Sequence, residues 1–378
     1  MRSWFGKKAG RPAARPALQR VQAGTIAAGD WPRGYEAQVR DGYVANPVAQ
    51  RAVRLVAESV AWAPVYALDG AAGAAASARA LALVPPALLD SAATHLLLHG
   101  NAFLQILADS GGEPAELFPL RPERVTVEAD SGGWPAAYCY RAGQSKTRLA
   151  ARDPLGRPAL VHIRSIHPLD DHYGLGCLGA AAGAVAIHNM ATRWNKALLD
   201  NAARPSGALT FDGGEGVLAA EQHERLREEL ERQFAGAANA GRPLLLEGGL
   251  KWQAMSLTPA DMDFVALKAA AAREIALAFG VPPMLIGLPG DSTYANYREA
   301  NRALWRLTVL PLADRLLGAI AAALGAWWPG VRLELDVDQV TALAEDRERL
   351  WAQVTAADFL TREEKREMLG FGPGGGAP

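Results

Sequence analysis

The sequence predicts an α+β fold, and three observations carry that reading. Alanine-rich stretches at 178–200, 260–280 and 294–324 have helical character. Residues 115–166 instead break into short alternating segments punctuated by Gly and Pro, the pattern of strands. A small module of mixed character, 205–258, is inserted between two of the long helices.

Taken in order, residues 1–40 form a basic arm with Arg2, Lys7, Lys8, Arg11, Arg15 and Arg20 and no acid before Asp30, so it reads as disordered. A helix starts at Asn46, with Val48, Val53, Val56, Val60 and Trp62 on its apolar side. A second helix, Pro86–His99, ends at a Gly100-Asn101 turn that leads into a strand over Phe103–Leu107. ELFPL, RVTVEAD, AAYCYRA and ALVHIRSI supply further strands. The helix Leu178–Asp200 is apolar except for one stripe of Asn189, Arg193, Lys196 and Asp200, which fall within about 60° of one another at 100° per residue.

In the inserted module, SGALTF reads as a strand and Leu218–Phe234 as a helix with a dense Glu/Arg face. LLLE and LKWQAMSL read as a hairpin turning at Gly248-Gly249. A helix over Pro259–Phe279 carries Phe264, Leu267, Ala271 and Ile275 on one side and stops at Val281-Pro282-Pro283. Asp291, Ser292 or Thr293 caps the next helix, which runs to about Leu324 and is expected to kink at Pro311. A strand near Val331–Val337 and one or two helices over Thr341–Leu369 follow, then a Gly-rich tail.

The formal net charge of −1 argues against a tight electrostatic grip on nucleic acid, though not against weak sliding contacts. Only Cys139 and Cys177 are present, so no disulfide framework is expected and a reducing cytoplasm is the expected site of synthesis. Met1–Gly10 has no apolar signal-peptide core, and the run Leu316–Trp328 is too short to span a bilayer, so no membrane partner is expected.

Four features invite a functional reading. His162, His167, His172, Asp170 and Asp171 cluster in sequence and suggest a metal-dependent hydrolase using His162, His167, Asp170 and Asp171. Their spacing matches no zinc or iron pattern, so the plainer expectation is a loop ordered by Asp170 or Asp171 with histidines in ordinary hydrogen bonds. Gly143-Gln-Ser-Lys146-Thr147 lacks the leading glycine of a phosphate loop. The basic arm offers a second alternative, a DNA-binding protein acting through residues 1–24. Tyr294 and Tyr297, three residues apart on a first helical turn, suit either core anchoring or stacking against nucleic acid.

GVPPMLIG, STYANYREANRALW and TVLPLADRL, in that order, together with LLLHGNAFLQI, ELFPLRPERVTVE and HPLDDHYGLGCLGAA upstream, resemble phage portal proteins of the HK97 type. The resemblance covers roughly Asn46–Gly372, and the compact, Ala- and Arg-rich chain looks like portals of prophages or gene transfer agents.

The resemblance implies a wing over 41–176, a first stem helix at 177–204, a clip at 205–258 and a second stem helix at 259–281. It implies a tunnel loop at 282–293, a wing helix and strand at 294–340, a short crown at 341–372 and a disordered tail at 373–378. It further implies a dodecameric ring at one capsid vertex of a virion or virus-like particle. That ring is a channel for DNA packaging and ejection and the head–tail joint. Double-stranded DNA, the terminase large subunit, a head–tail adaptor and the major capsid protein are the implied partners. No catalysis, cofactor or metal is implied. On this reading Pro289, Gly290, Asp291, Ser292, Thr293, Tyr294 and Tyr297 face the channel. Asn189, Arg193, Lys196 and Asp200 form the stem stripe, and Glu224, Glu228, Glu231 and Arg232 the clip docking surface.

Overall fold

A computed structural model of the chain describes residue 18 and residues 34–68, 73–200, 207–211, 221, 224, 225, 228, 250–254, 264–288 and 293–369. The helices are α1 (Tyr35–Val39), α2 (Pro47–Ala61), α3 (Ala74–Ala82), α4 (Pro86–His99) and α5 (Cys177–Asp200). They continue with α6 (Phe264–Ala278), α7 (Tyr294–Leu304), α8 (Leu310–Leu324), α9 (Ala344–Ala356) and α10 (Arg362–Met368). The strands are β1 (Val65–Leu68), β2 (Asn101–Ala108), β3 (Pro114–Leu120), β4 (Val125–Ala129) and β5 (Pro135–Ala142). They continue with β6 (Ser145–Ala150), β7 (Leu160–Arg164), β8 (Gly207–Phe211), β9 (Leu250–Ala254) and β10 (Arg332–Leu335). The chain divides into two compact units: Met1–Asp30, Arg51–Ala180 and Ala278–Pro378 form one, and Trp31–Gln50 with Ala181–Leu277 form the other.

In the first unit, two antiparallel three-stranded sheets, β3-β2-β7 and β4-β5-β6, share one core. Phe103 and Leu160 from one sheet meet Val125, Val127 and Tyr138 from the other, with Leu120 at the corner. Each such side chain, fully buried, contributes roughly 1.5–3 kcal/mol. Helix α4 starts on Pro86, whose fixed φ suits a first turn, and buries Leu88, Leu89, Leu96, Leu97 and Leu98. It packs against β2, β3 and α8. Helix α2 buries Val53, Val56 and Val60, but Trp62, expected on that side, is exposed because the helix has ended at Ala61. The sequence reading also passed over β1, α3 and β6, and it included in the disordered 1–40 arm residues that form helix α1, Tyr35–Val39. β1 pairs with β10, which lies more than 260 residues away, so no local signal announces it. The segment that superficially suggested a phosphate loop is the β5–β6 hairpin, with Ala142 opposite Ser145 and Gly143 at φ +58° in the turn.

Three glycines and one asparagine tie this unit together. Gly100 ends α4 in the left-handed conformation at φ +81°. There the segment 165–176 crosses it so closely that no side chain fits. A Cβ on Gly174 would lie 2.0 Å from the Gly100 carbonyl, one on Gly100 2.4 Å from the Leu175 carbonyl carbon, and one on Gly176 2.4 Å from the Leu98 carbonyl oxygen. Asn101, wholly buried, fills the crossing with its amide. Its Oδ1 accepts from the Gly174 N–H (2.8 Å) and from His162 Nε2 (3.1 Å). Its Nδ2 donates to His99 Nδ1 (3.0 Å) and to the Gly174 carbonyl (3.2 Å). The Ser165 N–H donates to the Gly100 carbonyl at 2.8 Å. Cys177, the first residue of α5, follows at once.

The irregularity expected at Pro311 takes a specific form. Trp305–Val309 make a π-helical turn between α7 and α8, closed by the Leu310 N–H on the Trp305 carbonyl, and Pro311 stands in the first turn of α8. The wider turn absorbs the donor that proline lacks. The resulting helix, Tyr294–Leu324, has 31 residues and is long and apolar enough to cross a bilayer, although no single apolar run in it reaches that length. Its apolar side is core instead: Leu304, Val309, Leu316, Leu317, Ile320 and Leu324 are buried, and α8 packs on α4, β7 and β10.

In the second unit, Asn46 caps α2: its Oδ1 accepts the N–H groups of Val48 and Ala49, both at 3.0 Å. Trp194 of α5 stacks on Phe264 of α6, with ring centroids 4.1 Å apart. Strand β9 pairs antiparallel with β8, Leu209 opposite Trp252. The LLLE arm and the Gly248-Gly249 turn of the expected hairpin lie outside the described residues, as do the C-terminal tail and all of the basic arm before Gly34 except Leu18.

Removing the Asn101 amide should leave the Gly174 backbone pair and the His162 donor buried without partners. Asn101→Ala is expected to cost about 2–4 kcal/mol, read as a fall of several degrees in Tm. A midpoint within about 1 °C of the parent would show that the crossing is held by other contacts.

Candidate functional site

The loop between α6 and α7 is clamped at both ends. After α6 the chain turns at Gly280, φ +65°, where a Cβ would lie 2.7 Å from Thr308 Oγ1. That hydroxyl donates to the Gly280 carbonyl at 2.7 Å. The carbonyl of a helix end is thus satisfied by the π-turn of the long helix. Val281 is buried, Pro282 and Pro283 stop the helix, and Pro283–Ile286 make a 3₁₀ turn that packs on α7 and ends at Gly287, φ +78°. At the other end Thr293 is the cap, its Oγ1 accepting the Asn296 N–H at 3.2 Å. Pro289, Gly290, Asp291 and Ser292, the heart of the expected tunnel loop, lie outside the described residues.

Tyr294 and Tyr297 are both exposed, at 77% and 50%, so neither anchors the core of this subunit. The Arg298 guanidinium lies 5.8 Å from the centre of the Tyr294 ring. One turn further on, the exposed character ends. Arg302, only 8% exposed at its side chain, pairs with Glu345 (2.6 Å), Glu299 (2.8 Å) and Asp346 (3.5 Å). Arg306 joins Asp346 at 2.7 Å, and Arg298 pairs with Glu345. This cluster fastens the start of the long helix to α9. Arg347 extends it by holding Asp338 at 2.5 Å and the Leu369 carbonyl at 2.7 Å. Nothing in the sequence periodicity pointed to that cluster, because the partners it joins between the long helix and α9 are 40–47 residues apart.

The α5 stripe divides. Asn189 is engaged at its base: its Oδ1 accepts from Asn46 Nδ2 at 2.9 Å and its Nδ2 donates to the Asp41 carbonyl at 2.8 Å. Burial, and then Lys268, push the pKa of neighbouring His188 down, and its Nδ1 lies 3.2 Å from Asn46 Nδ2. Arg193, Lys196 and Asp200 are exposed, with Lys196 and Asp200 paired at 2.6 Å. Glu224 and Glu228 lie on a helical, exposed segment with Glu221 and Arg225; Glu231 and Arg232 lie outside the described residues.

The residues of the metal alternative do not converge. His162 stacks on Phe103, ring centroids 4.2 Å apart, and its Nε2 is used on Asn101. His167 Nδ1 accepts the Leu169 N–H, and Asp170 Oδ1 accepts the N–H groups of His172 and Tyr173, so both order their own loop. Among the described residues no group of three His, Cys, Asp or Glu side chains is placed to hold a metal ion.

Comparison with known proteins decides between the readings. The sequence matches the profile of the phage portal protein family over residues 47–370. The chain belongs to that family. A protein of Rickettsia bellii (strain RML369-C) is 40% identical over 346 residues, 88% of each chain. The portal protein of Enterobacteria phage HK97 is 23% identical over 222 residues, 58% of this chain and 50% of that one. Among solved structures, a chain from the virion of a native gene transfer agent particle is 48% identical, with TM-score 0.69 over 90% of this chain and 94% of that one. A chain from the neck of a native particle of that kind, with C12 symmetry, is 47% identical with TM-score 0.68, covering 91% and 95%. This is therefore an HK97-type portal protein, a subunit of a ring assembly, and the hydrolase alternative is unsupported. In the portal subunit the Gly280–Thr308 clamp joins two of the family-like segments, GVPPMLIG and TVLPLADRL, and the Asn101–Gly174 crossing joins two others, LLLHGNAFLQI and HPLDDHYGLGCLGAA.

Of the histidines that suggested chemistry, His162 carries a pH dependence instead, together with His95 and His99. Burial pushes His95 and His99 down to about 4, with His99 and Arg121 adding to the effect at His95. Burial, then Arg164, His99 and His172, push His162 down to about 3. Unfolded, each titrates near 6.5. Between about pH 6.5 and 4 the unfolded chain therefore binds more protons, so stability is full above that window and falls as pH drops through it. Tm measured from pH 7.5 to 4.5 should decline, and His162→Gln, which retains a donor for Asn101, should decline less steeply. Parallel pH profiles for the two proteins would exclude His162 as a contributor.

Proposed function

We propose that twelve copies of this chain form a closed ring around a DNA channel at the portal vertex of a virus-like particle, a prophage head or a gene transfer agent. The observation that carries the number and place is the 47% identity, over nine-tenths of both chains, to a subunit of a particle neck with C12 symmetry. The exposed apolar side chains of the second unit support it. Met190, Val265 and Leu277 stand 67–83% exposed on the long helices α5 and α6, as expected of surfaces that a neighbouring subunit covers in a heterologous ring contact. On this reading the second unit corresponds to stem and clip, and the first to wing and crown. The ring packages and releases DNA and joins head to tail without catalysis or cofactor of its own; the terminase large subunit supplies the motor. The head–tail adaptor and the major capsid protein are the other partners. Negative-stain images of purified protein should show rings with a central hole; monomers at all concentrations would overturn the reading.

Within the ring, residues 289–293 with Tyr294 and Tyr297 face the DNA. The rigid ends of the loop at Gly280–Thr308 and Thr293, and the exposure of both tyrosines beside Arg298, support this placement. Bulky substitutions at Asp291, Ser292 and Thr293 should reduce packaged or retained DNA while rings still assemble. Particles with normal DNA content would defeat the assignment.

Arg193, Lys196 and Asp200 remain as stem residues able to face the channel or a neighbour, whereas Asn189 has a fastening role. Glu224 and Glu228, with Glu231 and Arg232, form the clip surface for adaptor and terminase. Reversing charge at Glu228 and Arg232 together is expected to weaken binding of at least one of these proteins in a pull-down at low salt. Unchanged capture of both would reject the surface.

A further inference from the structure

A pocket of about 380 Å³ opens beside the β4–β5 turn of the first unit. Trp134, Tyr138, Leu160 and His162 give it an apolar wall, and His172 and Arg164 a polar one. Leu18, from the basic arm, also lines it.

Three observations indicate that this meeting is built. First, the Leu18 N–H donates to the carbonyl of Gly132, in the β4–β5 turn, at 3.2 Å. Second, the turn is shaped for it. Gly133 sits at φ +81°, and a Cβ there would lie 2.2 Å from the Leu18 carbonyl oxygen, so the site excludes any side chain from the place the arm occupies. The φ alone favours glycine; the close approach of the arm makes a second, independent demand. Third, His172 is 4% exposed, and its Nε2 bonds the Gly133 carbonyl at 2.7 Å. A carbonyl only accepts, so Nε2 is the donor in that bond, and in the neutral ring Nδ1 is an acceptor. That buried Nδ1 has no partner among the described residues. An unsatisfied buried acceptor costs free energy unless an N–H or O–H donor enters the pocket. The residues after Leu18 are Gln19 and Arg20, both rich in donors.

We propose that this pocket is the docking site of the chain's own N-terminal arm, with Leu18 as the apolar anchor and His172 Nδ1 as acceptor for a donor that follows it. The arm is then a tethered segment with a fixed point of departure from the β-sheet unit, and its role is attachment to the fold rather than free capture of DNA. The proposal does not rest on the ring reading.

Trypsin provides the test. Arg11 and Arg15 are each followed by proline and resist cleavage, so Arg20–Val21 is the scissile bond next to the anchor, while the bonds after Lys7 and Lys8 serve as an internal reference. Leu18→Asp in the full chain should be cut at Arg20–Val21 roughly tenfold faster than the parent, with cleavage after Lys7 and Lys8 unchanged. Equal rates at Arg20–Val21 would overturn the anchor. A Leu18→Cys, Gly132→Cys pair provides the second measurement, with Leu18→Cys alone as control. Oxidation should yield an intrachain disulfide, seen as a mobility shift of the single chain. No crosslink above the control would overturn docking, and a ladder of interchain products would overturn docking on the chain's own pocket.

Discussion

The crossing of Gly100 and Gly174 over Asn101 is the constraint on which the first unit depends. It is a place where two backbones touch, so it has no room for tolerance: each of the three glycines would place a Cβ within 2.4 Å of another backbone atom. Such contact removes water from peptide groups on both sides, and those groups must find partners. The Asn101 amide supplies both a donor and an acceptor to Gly174, and links His99 and His162 as well. The end of α4, the start of β2, strand β7 and the first turn of α5 are therefore located by a single buried side chain. The neutral histidines follow from the same arrangement, because a donor and an acceptor role have been assigned to their ring nitrogens and burial penalises a further proton.

The long helix shows a second way of placing a functional element. Its far end is core, its middle is a π-turn, and its start carries exposed tyrosines. The π-turn puts Thr308 where it can satisfy the carbonyl of Gly280, so an irregular helix segment closes the base of the preceding loop. The Arg302 cluster holds the same helix against α9 by charge-assisted contacts around a nearly buried guanidinium. The chain on either side of the short Gly/Pro segment is thus fixed, at Gly280 by the Thr308 hydroxyl and at Thr293 by its own cap on Asn296.

Much of this was legible in the chain. The alanine-rich periodicity marked α5, α6 and the long helix. Pro86, Gly100 and the double proline at 282–283 marked their ends, and alternation marked most of the strands. Thr293 was among three candidate caps, and the hydroxyl nearest the helix won. What stayed hidden has a common cause. β1 is four residues long and pairs with β10 at the other end of the chain; the Arg302 cluster joins residues 43 and 44 apart. Trp62 read as core by periodicity and stands in solvent because the helix stops one residue earlier. Asn189 read as part of a polar stripe, yet its amide serves Asn46 and Asp41. Polarity tells that a side chain needs partners but not which ones.

By itself the sequence determined the order and type of most elements, and, through the sequence of motifs from LLLHGNAFLQI to TVLPLADRL, the family. These are properties of local backbone preference and of residue order, which one dimension carries. The tertiary structure alone decided which polar residues are fasteners and which are surface. It turned the histidine-rich segment from a candidate metal centre into the walls of a crossing and a pocket, and it drew one leucine of a basic arm onto a glycine turn. The physical reason is that hydrogen bonding and burial depend on what lies within a few ångströms in space, and residues 18, 101, 133, 162 and 174 become neighbours only after the sheets have packed.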